Sequence, residues 1–440
     1  MDSSTQNGVR AAPVSIPLRQ VAAVVVGNGL EFYDFLTYGY FAIYIGRTFF
    51  PGASPSTSLL LSLATFGAGF LTRPIGAMII GPMGDRIGRK PAMMMSFGLM
   101  GIAIVGLSLT PSYGQIGVAA PILVLVFRLI QGFALGGEVG PTTAYLIEAA
   151  PANRRGFYGS MQYATQDSAI LLAGIVGTTL AFLLSAQQLQ DWGWRVAMLI
   201  GAAIVPFGLM IRSRLPETLH AADDAALAPD ATAGSLKGPT RLRPYLALIV
   251  FGLMMLTAGT IGSYSISYMT TYALNTLHLP ATVAFGVIIV GSAFSVPCEL
   301  LSGWLSDIVG RKPIMISFGS LLLVSILPAF WAISHYRTTP IFYALVALLN
   351  VLSAMATTPI IVTLTESLPK SVRSGAVAMV YAFAISIFGG STQFTITKLL
   401  AVTGDPLAPA YYWTAASMIG LIAMLLVKES APVRMRTNTA

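Results

Sequence analysis

The chain has 440 residues, of which 55% are hydrophobic and only 10% charged, with a net charge of +8. A soluble domain carries about 25% charged residues, and a membrane-spanning helix needs about 20 apolar ones. The composition therefore fits about twelve spanning helices and excludes a soluble enzyme, a nucleic-acid-binding module, a disordered chain and a single-span receptor.

Residues 1–19 read as a polar tail, and no cleavable signal precedes the apolar run that begins near Val21. Apolar runs bounded by Gly, Pro and charged turns predict twelve spans. Their limits are 20–48, 58–82, 91–110, 116–141, 156–185, 193–211, 244–273, 281–304, 313–334, 340–364, 372–400 and 408–427. The polar segment 212–243 divides the chain near its midpoint, so 20–211 and 244–427 are expected to be two six-helix halves, followed by a tail at 428–440.

An ionisable group in hydrocarbon is costly, so each one marks a functional hypothesis. Span one carries Asn28, Glu31 and Asp34 at intervals of three, a stripe on one helix face. His220, His278 and His335 all fall in loops or at span ends, so proton coupling must use carboxylates, Asp34 foremost and Glu31 next. In span two, Arg73 lies about 12 Å from the loop that follows, and either contacts substrate or snorkels to the interface. Span four places Arg128 and Gln131 on one face, with Glu138 on the same half of the helix. Arg128 can grip a carboxylate bidentately, while Gly132, Gly136 and Gly140 read as a seam for close helix packing.

Span five aligns Gln162 and Gln166, whose amides suit carboxylate oxygens; Asp167 is expected to point elsewhere, since it would repel an anion. In span seven Thr260, Tyr264, Ser267 and Thr271 share a side, as do Asn350, Ser353 and Thr357 in span ten. Such rows suit either a water-lined path or hydrogen bonds between helices. Glu299 lies one turn from Gly303 and is expected to support the loop after span eight. Lys398 in span eleven is expected to snorkel. Cys298 is the lone cysteine, so no intrachain disulfide forms, and it reads as a buried inert thiol. Nothing has metal-ligand or nucleotide-loop spacing, and no nucleophile–base set points to an enzyme.

With the N-terminus inside, 19 Lys and Arg fall on cytoplasmic segments and only Arg47, Arg195 and Arg337 on the other side, which favours an even number of spans with both termini cytoplasmic. The chain also repeats itself. Gly81, Asp85, Gly88, Arg89, Lys90 and Pro91 after span two return as Gly303, Asp307, Gly310, Arg311, Lys312 and Pro313 after span eight, at an offset of 222. Arg86 has Ile308 as its counterpart, which predicts a weaker second copy. Glu148, Pro151 and Arg155 are echoed by Glu366, Pro369 and Arg373. Duplicated acidic and glycine positions exceed what charge placement alone requires. These loops are therefore expected to form a latch that breaks and remakes as the halves rock around a site near the midplane.

The doubled Gly-x-x-x-Asp-x-x-Gly-Arg-Lys loop resembles the signature of the major facilitator superfamily. Segments Asn28–Phe35, Phe70–Ala77, Arg128–Glu138, Trp192–Arg195 and Phe388–Gly390 resemble its metabolite–proton symporters, most closely citrate–proton symporters, with alpha-ketoglutarate permeases next. The resemblance implies an all-α membrane fold of twelve helices in two pseudo-symmetric halves. It also implies proton-coupled import of an organic acid, foremost citrate, in a bacterial inner membrane, and a coupling role for Arg128. Expected partners are a small anionic solute, protons and the bilayer, with no nucleic acid, cofactor or metal, for a protein acting as a monomer. A symporter of shikimate, proline or betaine and an uncoupled exchanger remain as alternatives. Span five lacks the proline of the Gly-Pro-x-x-Gly motif found in proton antiporters of this superfamily, which disfavours efflux.

Overall fold

A computed structural model describes residues 32–213, 245–368 and 373–437, apart from 34, 53, 87–88, 137–142, 144–145, 148–149 and 152. The described residues form helices joined by short turns, with no strand among them. Eight helices there are long and apolar enough to cross a membrane: Pro55–Ile80, Arg155–Leu183, Leu246–Asn275, Ala281–Val309, Arg311–Tyr336, Thr339–Ser367, Met379–Thr403 and Ala408–Leu426. The shorter apolar helices Met94–Leu109 and Ala119–Leu135 occupy spans three and four. Ala42–Phe49 and Trp194–Ser213 occupy spans one and six. Each of the twelve expected spans thus contains helix among the described residues, with 20–31 of span one and 137–141 of span four lying outside them.

Four spans are interrupted within their expected limits, span one at Phe41 just before Ala42–Phe49. Span two is built as Pro55–Leu71 and Arg73–Arg86. Pro74 has no N–H to offer the Phe70 carbonyl, so the ladder is broken at that point. The Thr72 hydroxyl is drawn off to the Leu129 carbonyl of span four at 2.7 Å. Span seven divides into Leu246–Ser267 and Met269–Asn275. Span eleven contains a π turn, Ile385–Gly389, between Arg373–Ala384 and Gly390–Thr403. Such turns concentrate at functional positions, and Ile385 and the preceding Tyr381 face the central cavity.

Large apolar side chains such as Phe182, Val324 and Val402 are exposed on the outside of the bundle, where a lipid-facing surface requires them. Inside, small residues let backbones approach. A methyl group on Gly132 or Gly136 would collide with the carbonyls of Gly69 and Arg73, so these two glycines of the expected seam seat span four on span two, while Gly140 lies outside the described residues. Within the first half, span three packs on spans four and six; within the second, span ten packs on eight and nine, and seven on twelve. The halves meet mainly along two pairs. Spans five and eight run together along most of their length, and spans two and eleven cross where Gly67 faces Gly390.

Candidate functional site

A cavity of about 140 Å³ lies between the halves, bounded by spans one, five, seven, eight, ten and eleven. Its wall on span five is Tyr163, Gln166, Asp167 and Ile170, the i, i+3, i+4, i+7 face of one helix. Span one contributes Phe32, Leu36 and Tyr40, one turn apart. Thr260, Tyr264 and Ser267 face it from span seven, and Asn350, Ser353 and Thr357 from span ten. Both expected hydroxyl rows therefore reach the cavity, Thr271 excepted. No Lys, Arg or His lines it among the described residues.

Two buried polar atoms in this wall have no hydrogen-bond partner among the described residues: Gln166 Nε2, a donor, and Glu299 Oε2. Leaving such groups unpaired costs about 1–3 kcal/mol each, so a solute or water that satisfies them is favoured. Glu299 was expected to brace the loop after span eight. The structure corrects this: one turn of helix beyond Ser295, it faces the cavity. Asp167 likewise faces the cavity beside Gln166, and its Oδ2 accepts a short hydrogen bond from Ser295 of the opposite half. Gln162, expected beside Gln166, lies off the cavity wall with Thr143 Oγ1 at 2.8 Å from its Oε1.

The two arginines stand behind an aromatic wall. Arg128 is fully buried. Its Nη1 donates to Gln131 Oε1 at 2.7 Å and its Nη2 to the Phe66 carbonyl at 3.3 Å, and its guanidinium lies over the rings of Phe35, Tyr38 and Phe66. Arg73 lies over Phe35 and Phe70 at 4.5 and 4.4 Å. Neither arginine lines the cavity, nor does Gln131. Arg73 nonetheless acts electrostatically on Tyr264 and Tyr381, which do. Asn28, Glu31, Asp34 and Glu138 lie outside the described residues.

A second site closes one end of the bundle, where span eight turns into span nine. Asp307 accepts hydrogen bonds from the backbone N–H of Gly156 at 2.9 Å and Phe157 at 3.0 Å, the first turn of span five. A carboxylate there complements the helix N-terminus and ties one half to the other. Arg311 is fully buried, 2.7 Å from Asp307 and 3.3 Å from Glu366. The Arg311 and Lys312 backbone N–H groups both donate to Glu429, at 3.0 Å. Glu429, just past span twelve, was not singled out from the sequence; its place beside a strongly basic loop was the available signal. Gly310 turns the chain at φ +116, a conformation that side chains disfavour. Gly303 and Gly156 face each other so closely that a methyl on either would strike the other's carbonyl. Ile308 is exposed and the network does not use it. The side chains of Asp85, Arg86, Arg89 and Lys90, the surroundings of Gly81 and the whole of Gly88 lie outside the described part of the structure.

Two helical halves that face each other across a cavity, and are tied at one end by Asp307, have the form of a multi-pass membrane carrier. The chain belongs to the Major Facilitator Superfamily, whose family model matches residues 36–393. It is 34% identical over 422 residues to a citrate-proton symporter of Klebsiella pneumoniae, covering 95% of this chain and 93% of that one. It is 32% identical over 422 residues to an alpha-ketoglutarate permease of Escherichia coli K12, covering 95% and 96%. A crystal structure of a D-xylose-proton symporter superposes with a TM-score of 0.73 at 19% identity, covering 94% of this chain and 98% of that one.

Proposed function

We propose that the protein is a proton-coupled symporter that imports an organic acid, foremost citrate or a related di- or tricarboxylate, across a bacterial inner membrane with both termini cytoplasmic. In this reading residues 20–211 and 244–427 rock as two units joined by the linker 212–243. The observation that carries it is the cavity between the halves, where the buried donor Gln166 Nε2 completes no hydrogen bond at bonding distance among the described residues and stands beside Tyr381, one of four tyrosines there with Tyr40, Tyr163 and Tyr264. Amide and hydroxyl donors suit carboxylate oxygens, and the likeness to citrate and alpha-ketoglutarate carriers supports that solute class. Arg73, behind Tyr264 and Tyr381, adds a positive potential from one side.

One observation favours a second reading. The wall bears Asp167 and Glu299 and no basic side chain among the described residues, which suits the cationic part of a zwitterion such as proline or betaine. Uptake of labelled citrate, alpha-ketoglutarate and proline into proteoliposomes, with and without an inward proton gradient, separates the two. Accumulation of an organic acid that depends on the gradient is expected. Selective uptake of proline would support the alternative, and no response to the gradient would sink proton symport.

A further inference from the structure

Asp167 on span five and Glu299 on span eight belong to opposite halves, line the same cavity, and act on each other electrostatically. Ser295 stands between them: it is one helical turn before Glu299 and gives its hydroxyl hydrogen to Asp167 Oδ2. A serine hydroxyl has one hydrogen to donate, so it has none for Glu299. The Glu299 carboxyl is 6% exposed and its Oε2 has no partner among the described residues. The other titratable groups that face the pair are Tyr163 on span five, Tyr40 on span one and Cys298 on span eight, with Tyr264 and Tyr381 across the cavity. None is a cation.

Two buried carboxylates with no basic side chain beside them among the described residues do not both stay ionised; one of them holds a proton. Asp167 accepts the serine hydrogen, a bond that favours its ionised form over that of Glu299. Resting on the organic-acid reading, we propose that Glu299 carries a transported proton as a carboxylic acid and that its O–H is a donor to the solute's carboxylate. The step is Glu299–COO⁻ + H⁺ → Glu299–COOH on the side where the cavity is open. The acid then donates one hydrogen bond to the anion, and the proton leaves to water after the halves reopen on the other side. An ionised Glu299 repels the anion, so an unprotonated carrier binds it poorly. The pair also lies on the interface between spans five and eight, so separation of the halves hydrates both carboxyls and permits release. This assigns a coupling site in the cavity itself, independent of Asp34, Glu31 and Arg128.

The test uses the full-length protein and labelled citrate. Glu299→Gln replaces the acid with an amide that still donates but never releases a proton. It is expected to keep citrate counterflow, to make counterflow insensitive to pH between mildly acidic and mildly alkaline buffers, and to lower gradient-driven accumulation to the no-gradient level. Gradient-driven accumulation like that of the unsubstituted protein would overturn the proposal. So would loss of counterflow in a Glu299→Gln protein that melts at the normal temperature, because the amide should mimic the protonated acid. A second measurement needs no folded variant: citrate added to the unsubstituted carrier in weakly buffered detergent should take up protons, and absence of uptake overturns the assignment. Ser295→Ala, which strips Asp167 of its donor, should displace the pH profile of counterflow; an unmoved profile counts against the pair. Should the unsubstituted carrier fail to accumulate any organic acid with a proton gradient, or do so only with a sodium gradient, the symport reading itself fails, a result distinguishable from failure of Glu299.

Discussion

At the scale of single residues, what separates a structural amide from a solute-binding one is where the helix face points. Gln162 and Gln166 are one turn apart and looked equivalent in sequence. Gln162 has Thr143 beside its amide, whereas Gln166 Nε2 faces the cavity without a partner among the described residues. A neutral hydrogen bond contributes about 0.5–1.5 kcal/mol, so Gln166→Leu should raise the KM for citrate uptake about two- to tenfold with little change in maximal rate. Gln162→Leu should leave KM unchanged. Equal KM values for the two variants would remove Gln166 from the solute contacts. Arg128 illustrates the same distinction. Its forked guanidinium suggested a substrate clamp, yet Nη1 and Nη2 bond to Gln131 and the Phe66 carbonyl and its faces meet three aromatic rings, while Nε is left without a partner among the described residues. Its side chain does not line the cavity, although its charge acts on Tyr264, which does.

At the scale of helices, glycine placement decides which spans lie in contact. Gly132 sits against the Gly69 carbonyl, with no room for a Cβ, while Gly98 in span three has open space around it. Forcing extra atoms into a packed site costs about 1–3 kcal/mol. Gly132→Ala should therefore lower the melting temperature in detergent, and Gly98→Ala should not. Matching melting curves for the two variants would deny span four its close seat on span two. The spans themselves were legible because length and apolar content are enough to place a membrane helix, and the 222-residue repeat paired the loops. The cavity wall was much less so. In a soluble helix the apolar stripe reveals the inward face, but a spanning helix is apolar on both its lipid and its protein faces. Span five shows the consequence. Aligning Gln162 with Gln166 turned Asp167 away from the solute, whereas the true cavity face is centred on Tyr163, Gln166, Asp167 and Ile170. Glu299 was misplaced for a related reason: proximity in sequence to Gly303 said nothing about the partner helix. Asp307 and Arg311, by contrast, were recoverable because their loop is duplicated and polar.

At the scale of the whole molecule, transport needs the halves to close at one end and part again, so the lock must be strong enough to hold and weak enough to break. Asp307 joins the first turn of span five to Arg311 and, through it, to Glu366. Hydrogen bonds to a charged group contribute about 1.5–3 kcal/mol each, and about 1.4 kcal/mol shifts a two-state equilibrium tenfold. The two backbone N–H bonds to Asp307 are thus of the size that governs the population of the closed form, and Asp307→Asn should weaken both without removing the side chain. Ser160 reports on the interface, since it is fully buried against Gly303 beneath the lock. With Cys298→Ser to remove the native thiol, Ser160→Cys should react slowly with a water-soluble thiol reagent. Adding Asp307→Asn should raise that rate about tenfold or more, in proportion to the open population. Ile308→Arg, which restores the residue found in the first copy of the loop, should leave the rate unchanged, because position 308 points away from the network. An unaltered rate with Asp307→Asn would mean that the facing glycines and the apolar contacts between spans five and eight hold the end shut, and that the charges contribute nothing to its closure.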